Sequence, residues 1–531
     1  MLKTETKLPR ADYPEQVGVS SKGVSAFIKE ITDKKLNIHS LMVTRHNKVA
    51  YECEWKPFKA EFSNAMFSFS KVITSLAVGL AYDDGYLTPE TKVYSFFPEY
   101  LEKLKGKQRK YAEELSVHHL ITMQSGKVDD MLFVNTEKID WIDRYLKVRF
   151  KARPGTKYEY ISQNIFMLAV VVIKATGQNL TEYLTKRLYE PLGMETPVWE
   201  GDHNGFEAGG WGLNLSREQM AKIGSVFLNG GCYEGKRIIS EEWFKICTTG
   251  YNDKVNVAFN HNTDYGYQVW LMRDDNAIRF EGLFGQIAIM FKDYDGMIVF
   301  NSGEAREDLY LPIILKHYRN FFCDEEEYSE EKYNTYKNFT DSLKNSPGFK
   351  NGTRRLIELE KKYSGRTAYL KSRGNVSLMG FPAFFMYSKK CGKMSSARLD
   401  FYEDKATFTW QEKNSPLNTI DVGFDDYMYS ECELAGLPVK TAAMGTWNTD
   451  GSFELYVQPL GKPQNRRIKF YFKNNKLKMK MNTEASFYHL AIFFIQFKGM
   501  KLNWFIEEGL KPVISVINAV WADPNTHGKF E

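Results

Sequence analysis

The apolar residues that follow Ser68 recur at the spacing of a buried helix. After Ser68 and Lys71 they stand at Val72, Ile73, Leu76, Ala77, Leu80 and Ala81. Gly85 comes shortly after the last of them, and glycine is favoured just beyond the C-terminus of a helix. The pattern therefore predicts a helix that begins near Ser68 and ends before Gly85.

Other periodic segments of the first 320 residues predict a mixture of helices and strands. The wholly apolar segment Ile165–Ile173 predicts a buried helix, and a second helix is indicated by Leu180, Tyr183, Leu184 and Leu188. Met42–Ala50 has the pattern of a hairpin that turns at His46-Asn47. Helices and paired strands thus alternate in this half, which is typical of a mixed α/β domain.

The last third of the chain alternates between apolar and polar residues, which is the period of a β-strand. Arg398–Tyr402 and Ala406–Trp410 show this alternation. It is clearest on both sides of the turn Lys473–Lys476, where the inward positions are Ile468, Phe470, Phe472, Leu477, Met479 and Met481. We therefore expect an antiparallel C-terminal domain that is either a barrel or a sandwich.

A chain of 531 residues is too long for one ordinary hydrophobic core, so two domains are expected. The acidic run Asp324–Glu327 and the polar stretch that ends at Asn345–Gly348 separate the two compositions. We predict a mixed α/β domain over residues 1–322, a charged linker over residues 323–347 and a β-rich domain over residues 348–531.

The charge balance gives no sign of a polyanionic partner. Lys and Arg number 71 against 66 Asp and Glu, so the net charge is only +5. The lysines around Lys473–Lys476 lie on one outward face by their alternation, where they solvate the sheet and protect its edge. We therefore expect no nucleic-acid partner.

The spacing of the cysteines and histidines and the lengths of the apolar stretches bear on the cellular compartment and on cofactors. The six cysteines are not closely paired and the nine histidines lack metal-ligand spacing, so we expect a reducing compartment and no metal or other cofactor. The N-terminus lacks a signal-peptide pattern, and the longest apolar stretch, Phe487–Phe497, is too short to span a bilayer. These features predict a cytoplasmic protein without a membrane partner.

Ser68 and Lys71 bring a hydroxyl and an amine to the same face of the predicted helix. The unpaired N–H groups and the dipole at a helix N-terminus favour negative charge there. A serine hydroxyl attacks only when a neighbour accepts its proton, and a lysine with a pKa near ~10.4 can do so only after burial lowers that value. A helix cap followed by a solvated lysine gives the same tetrapeptide, so the motif alone decides nothing.

A second segment, Pro154–Asn164, places Tyr160 at the exit of a turn into the predicted helix Ile165–Ile173. With these two segments the chain resembles the serine β-lactamase-like family, which includes class C β-lactamases, penicillin-binding carboxypeptidases, family VIII esterases, D-aminopeptidases and 6-aminohexanoate-dimer hydrolases. The resemblance extends over roughly residues 15–320 and includes, in the expected order, His39–Val43, His119–Gly126, Gly209–Leu213, Tyr265–Trp270 and Gly282–Gln286. It implies an α/β (α+β) fold in which helices flank an antiparallel sheet.

The resemblance assigns chemical roles to individual residues. It implies that Ser68 is the nucleophile of an acyl-enzyme, and that Lys71 and Tyr160 transfer the proton. It also implies an oxyanion hole made by the backbone N–H groups of Ser68 and Gln286, with Gly285 allowing the substrate to approach closely.

Two departures from the family pattern bear on the substrate. Ser162 replaces the asparagine of the usual Y-x-N motif, as in aminohexanoate-dimer hydrolases and some esterases. The usual Lys/His-Ser/Thr-Gly motif is Leu283-Phe284-Gly285 here, which lacks a cation or hydroxyl to bind a substrate carboxylate. We therefore expect Ser162, Phe284 and Gly285 to contact a small ester or amide whose acyl portion is uncharged.

Several alternatives stay open at this point. D-aminopeptidase, β-lactamase and carboxypeptidase activities use the same machinery, and Glu281 offers a carboxylate for a substrate amine, although a solvated strand-end residue is the simpler interpretation. A binding or scaffold protein that retains the hydrolase fold is the alternative from another class. The oligomeric state and the role of the C-terminal domain do not follow from the sequence.

Overall fold

A computed structural model of the chain describes residues 5–128, 139–252, 263–305, 307–324, 329–344, 354–371, 376–379, 393–412, 415–434, 437–484, 488, 490–491 and 504–531. The strands of the N-terminal half are β1 (Ile38–Arg45), β2 (Lys48–Glu54), β3 (Asn64–Ala65), β4 (Asn214–Leu215), β5 (Cys232–Tyr233), β6 (Lys236–Arg237), β7 (Thr263–Tyr265), β8 (Trp270–Met272), β9 (Ala277–Gly282), β10 (Gln286–Phe291) and β11 (Gly296–Ser302). Within the described ranges, seven of them form one antiparallel sheet in the order β2-β1-β11-β10-β9-β8-β7.

Helices lie on both faces of this sheet. They are α1 (Ser21–Asp33), α2 (Ser70–Asp83), α3 (Pro98–Leu101), α4 (Gly106–Glu114), α5 (Val117–Ile121), α6 (Trp141–Lys147), α7 (Ser162–Thr176), α8 (Leu180–Leu184), α9 (Arg217–Leu228), α10 (Glu241–Cys247), α11 (Glu307–His317) and α12 (Glu330–Lys344). Because side chains alternate along β1, Met42 faces the core that contains α2 and α7, while Leu41 and Val43 face the core formed with α1 and α11. The fold class expected from the sequence is confirmed.

The local predictions for this half are confirmed with small shifts of the boundaries. Helix α2 ends at Asp83, and Gly85 adopts a φ of +78° just beyond it. Helix α7 is longer than the predicted Ile165–Ile173, because the polar residues before Ile165 continue the same helix. His46 and Asn47 adopt φ values of +51° and +57°, as a tight hairpin turn between β1 and β2 requires.

Much of the segment expected to be a linker is helix α12. Its first turn carries Glu330 and Glu331, which interact favourably with the helix N-terminus, and the hydroxyl of Ser329 accepts from the Lys332 N–H at 3.4 Å. The helix packs against α1 and buries Thr340. Residues 325–328 and 345–353 lie outside the described residues, so the boundaries at 322 and 347 stay predictions.

The C-terminal part is antiparallel and barrel-like, as the alternation predicts. Its elements are α13 (Ile357–Tyr363), β12 (Thr367–Lys371), β13 (Met394–Phe401), β14 (Lys405–Glu412), β15 (Leu417–Gly423), β16 (Met428–Leu434), β17 (Leu437–Trp447), β18 (Phe453–Pro459), β19 (Arg466–Lys473), β20 (Lys476–Thr483), α14 (Trp504–Ile517) and β21 (Asn525–Phe530). Ten strands pair in the order β15-β14-β13-β12-β21-β20-β19-β18-β17-β16 within the described residues, and β15 also contacts β17. Lys473 pairs with Lys476, which confirms the predicted hairpin.

Only residues 488, 490 and 491 of the apolar stretch Phe487–Phe497 belong to the described residues. No helix in the part of the chain that the structure describes is both long enough and apolar enough to cross a membrane.

The two halves contact each other close to the start of α2. The carbonyl of Gly461, in the loop between β18 and β19, accepts from the Ala65 N–H at 2.8 Å. An apolar cluster also joins the halves, and its members are Phe58, Tyr427, Ala442, Met444, Tyr456 and Leu460. The C-terminal domain therefore packs directly against the segment that leads to Ser68.

His39 lies behind this cluster as a buried, neutral imidazole. Its ring stacks on Phe58 with centroids 3.6 Å apart, and neither ring nitrogen has a hydrogen-bond partner. Burial lowers the pKa of His39 to about 3. A protonated imidazole is consequently unfavourable at this contact between the halves.

This burial makes the stability of the fold depend on His39 below neutral pH. Between about pH 6.5 and about pH 3 the unfolded chain binds a proton at His39 and the folded chain does not, so stability falls as the pH falls. The loss reaches about 1.4 kcal/mol per pH unit. The free energy of unfolding, measured with urea at several pH values in this range, should fall less steeply with falling pH for His39→Gln than for the wild type. Equal pH dependence in the two proteins would contradict the assignment.

Candidate active site

Ser68 lies in a tight turn that the neighbouring segments hold in place. The 3-10 turn Phe67–Phe69 precedes α2, so the α-helix itself begins two residues after Ser68. The Met66 N–H donates to the Leu213 carbonyl at 2.8 Å, just before the turn. Phe67 has a φ of +47°, which is uncommon for a residue other than glycine and occurs often at functional sites. Ser68 is left half-buried at the N-terminal end of α2.

The Lys71 amine is buried beside the Ser68 hydroxyl. Lys71 Nζ lies 2.8 Å from Ser68 Oγ and donates to the Gly210 carbonyl at 2.7 Å. Lys71 is 1% exposed, since the apolar residues of α2 place it inside the domain. The spacing of Ser68 and Lys71 therefore places them together as predicted.

Gly210 was not assigned a role from the sequence. A Cβ at this position would lie 2.6 Å from the Ser162 carbonyl, so the approach of its backbone to α7 requires glycine. The Thr74 hydroxyl, one turn after Lys71, donates to the adjacent Gly209 carbonyl at 2.8 Å. The paired glycines are the signal in the sequence, but only the fold shows that the Gly210 carbonyl faces the Lys71 amine and the Gly209 carbonyl faces the Thr74 hydroxyl.

The ring of Tyr160 lies near the Lys71 amine. Lys71 Nζ is 5.0 Å from the centroid of the Tyr160 ring, which is half-buried. The ring packs edge-on against Tyr265 with centroids 6.3 Å apart. Burial raises the pKa of Tyr158 and Tyr265 far above the ordinary value, so these neighbours stay protonated phenols.

The turn Gly282–Gln286, which joins the end of β9 to the start of β10, lies directly against the Ser68 turn. A Cβ on Gly282 would lie 2.0 Å from the Met66 carbonyl, which shows how closely the two backbones approach. Gly285 has a φ of +75°, and Gln286 is the first residue of β10. The Gln286 side chain donates to the Ser302 carbonyl at 2.7 Å and accepts from Asn301 at 2.8 Å. The Gln286 side chain is thus hydrogen-bonded inside the domain, while its backbone lies at the start of the strand.

Ser162 and Phe284 are more deeply buried than the sequence suggests. Ser162 is the first residue of α7 and is 2% exposed. Phe284 is 1% exposed, and its ring centroid lies 5.2 Å from that of Phe67. Direct contact of either side chain with a substrate stays a prediction, as do the oxyanion roles of Ser68 and Gln286 and the substrate role of Gly285.

Glu281 forms an ion pair within the domain. Its carboxylate lies 3.1 Å from the Arg279 guanidinium and accepts from the Tyr310 hydroxyl at 3.3 Å. Arg279 is itself buried. Glu281 is therefore neutralised by a neighbour, which disfavours a role in binding a substrate amine.

Comparison with known proteins agrees with this geometry. A sequence model of the family described as beta-lactamase matches residues 25–307, which is more than half of the chain. The chain belongs to this family. The matched segment contains Ser68, Lys71, Tyr160 and the strand edge at Gln286, so the resemblance seen in the sequence is confirmed.

Relatives of several kinds share the matched region. A 6-aminohexanoate-dimer hydrolase of Paenarthrobacter ureafaciens is 24% identical over 224 residues, which is 40% of this chain and 57% of the hydrolase. A family VIII carboxylesterase of known structure is 15% identical over 59% of this chain and 98% of its own, with a TM-score of 0.46. An octameric penicillin-binding protein homologue from Pyrococcus abyssi is 16% identical over 86% of this chain and 97% of its own, with a TM-score of 0.45. The chain thus spans little more than half of the curated hydrolase.

Proposed function

We propose that this protein is a serine hydrolase that cleaves an ester or a small amide through an acyl-enzyme on Ser68. The observation that carries the proposal is the 2.8 Å contact between Lys71 Nζ and Ser68 Oγ at a buried site. Burial disfavours the charged form of an amine, and a neutral amine can accept the proton of the attacking hydroxyl. Membership of the beta-lactamase family supports the same chemistry.

The reaction has two stages in this proposal. Ser68 Oγ bonds to the substrate carbonyl carbon while its proton moves to Lys71 Nζ, and the bond to the leaving alcohol or amine then breaks. The leaving group takes a proton that Tyr160 relays from Lys71. Water next attacks the acyl-enzyme, gives up its proton to the same groups and releases the acid together with the free hydroxyl of Ser68.

Negative charge that develops on the carbonyl oxygen would be stabilised by two backbone N–H groups. We assign these to Ser68, at the N-terminal end of α2, and to Gln286, at the start of β10. Each such donor contributes about 3 kcal/mol of transition-state stabilisation in acyl transfer. The close approach of Gly282 to Met66 brings the two segments that contain these groups together.

The substrate class follows from the residues at this strand end. Leu283 and Phe284 are apolar where many relatives have the polar side chains that bind a carboxylate, which favours an uncharged acyl portion. The ion pair of Glu281 with Arg279 disfavours D-aminopeptidase activity. β-Lactamase and carboxypeptidase activities would need a carboxylate site that this edge does not provide through these side chains. A scaffold without catalysis has no chemical need for the buried Ser68–Lys71 contact.

We also propose that the protein acts in the cytoplasm on a small molecule, without nucleic acid or membrane partners. No disulfide joins the cysteines within the described ranges, which fits a reducing compartment. The near balance of basic and acidic residues supports the absence of a polyanionic partner.

A substrate panel tests the proposed class. Purified protein should hydrolyse nitrophenyl esters or linear amide dimers with a higher kcat/KM than it shows for D-amino acid anilides or a chromogenic cephalosporin. The physical reason is the apolar strand end, which lacks a cation for the cephalosporin carboxylate. A cephalosporin turned over far faster than every ester would contradict the substrate class, and no turnover of any compound would favour the scaffold alternative.

A further inference from the structure

Leu490 of the C-terminal domain is buried against the strand end of the active site. It is 3% exposed and forms an apolar cluster with Phe284 and Ala305, against which Phe67 and Leu283 also pack. Phe67 immediately precedes Ser68, and Phe284 immediately precedes Gly285. The apolar cluster next to the nucleophile therefore includes a residue that lies more than 400 positions away along the chain.

Two residues at the cluster, Phe67 and Phe284, have an unusual backbone conformation. Phe67 and Phe284 have φ values of +47° and +68°, a region that residues other than glycine seldom adopt. Such conformations persist only where the surrounding packing stabilises them. The two rings contact each other edge-on with centroids 5.2 Å apart, and Leu490 is buried in the same apolar cluster.

A second contact between the domains holds the same turn from its other end. The Gly461 carbonyl accepts from the Ala65 N–H at 2.8 Å, three residues before Ser68. A Cβ on Gly461 would clash with the Ser63 carbonyl, so this close approach requires glycine. Lys462 Nζ lies 3.6 Å from Glu200 Oε1 in the first domain. The C-terminal domain thus contacts the first domain close to the nucleophile.

We propose that the C-terminal domain forms one wall of the active-site cleft and that Leu490 limits the size of the acyl group accepted beside Phe284. This inference depends on the proposed function, since it concerns the substrate of the same site. Leu490 and Phe284 belong to one buried apolar cluster, and Leu490 has no assigned part in the chemistry, so it acts as a specificity-determining residue. The acyl portion would be a compact, uncharged group, because Leu490 fills the apolar space that a longer chain would enter.

Enlarging this space should change the preference for acyl length. With nitrophenyl acetate, butyrate and octanoate as substrates, Leu490→Ala should raise the ratio of kcat/KM for octanoate to that for acetate by about tenfold or more, as a pocket gains room for several methylenes. Leu490→Val should shift the ratio in the same direction by a smaller factor. Leu490→Trp should lower it below the wild-type value.

Ile514→Ala is the matched control, because Ile514 is a buried aliphatic residue of α14 in the same domain and is not part of the cluster. It should leave the ratio within about twofold of wild type, as one conservative truncation away from the pocket does not change specificity. Melting temperatures show whether each variant is folded. A ratio that stays at the wild-type value in folded Leu490→Ala, Leu490→Val and Leu490→Trp overturns the proposal that Leu490 limits the size of the acyl group. In that case, loss of all ester turnover in Ser68→Ala would still support the proposed hydrolase function. A wild-type protein that hydrolyses neither these esters nor the linear amide dimers overturns both.

Discussion

Ser68→Ala protein should hydrolyse every substrate of the panel at least about a thousandfold more slowly than the wild type. The substitution removes the oxygen that forms the acyl-enzyme and leaves the helix and its packing unchanged, since Ser68 lies in a half-buried turn before α2. The measurement is kcat/KM for the best ester and the best amide, with circular dichroism and thermal unfolding to verify the fold.

Ser75→Ala is the control for this variant. Ser75 is a buried serine of the same helix, and its hydroxyl donates to the Tyr267 carbonyl at 2.8 Å. Its removal should cost some stability, of about 1 kcal/mol for a lost hydrogen bond, and leave kcat/KM within a few-fold of wild type. Wild-type rates in Ser68→Ala would show that another group is the nucleophile.

Lys71→Met should lower kcat by about 10²- to 10⁴-fold, the usual contribution of a positioned general base. Methionine fills much of the same apolar space but cannot accept the hydroxyl proton. Because the lost interaction is with the reacting serine, the change should appear in kcat more than in KM. A pre-steady-state assay should show that acylation is the slowed step.

A second buried lysine provides a matched control. Lys127 donates to the Tyr145 and Val148 carbonyls at 2.8 Å each, and burial lowers its pKa to about 7. Lys127→Met should therefore reduce stability, because these carbonyls lose their donor, and should leave kcat within a few-fold of wild type. Equal losses of kcat in the two variants would mean that Lys71 acts only through the fold.

The sequence was sufficient for the parts of the site that local spacing controls. The interval between Ser68 and Lys71 brings the amine beside the hydroxyl, although Ser68 itself lies in the 3-10 turn before α2. The alternation around Lys473–Lys476 is enough for a hairpin. The Y-x-S segment located Tyr160 through resemblance to a family, because 31 tyrosines offer no other means of selection.

The remaining features depend on contacts between distant segments. The Gly210 carbonyl and the Lys71 amine are 139 positions apart, and no local pattern relates a backbone oxygen to an amine. Leu490 lies in an apolar stretch whose composition predicts burial but not the neighbour against which it is buried. Helix α12 was expected mainly as a linker because its charged residues suggested solvation, whereas packing against α1 gives it a buried face.

We attribute the activation of the Ser68 hydroxyl to the buried amine of Lys71. The most direct measurement is mass spectrometry of the folded protein after incubation with an alkyl fluorophosphonate, followed by peptide mapping. The expected result is one adduct on Ser68 in the wild type, a much slower adduct in Lys71→Met and none on that peptide in Ser68→Ala. Folded wild-type protein that forms no adduct at Ser68, or forms it at the same rate without Lys71, would contradict the claim.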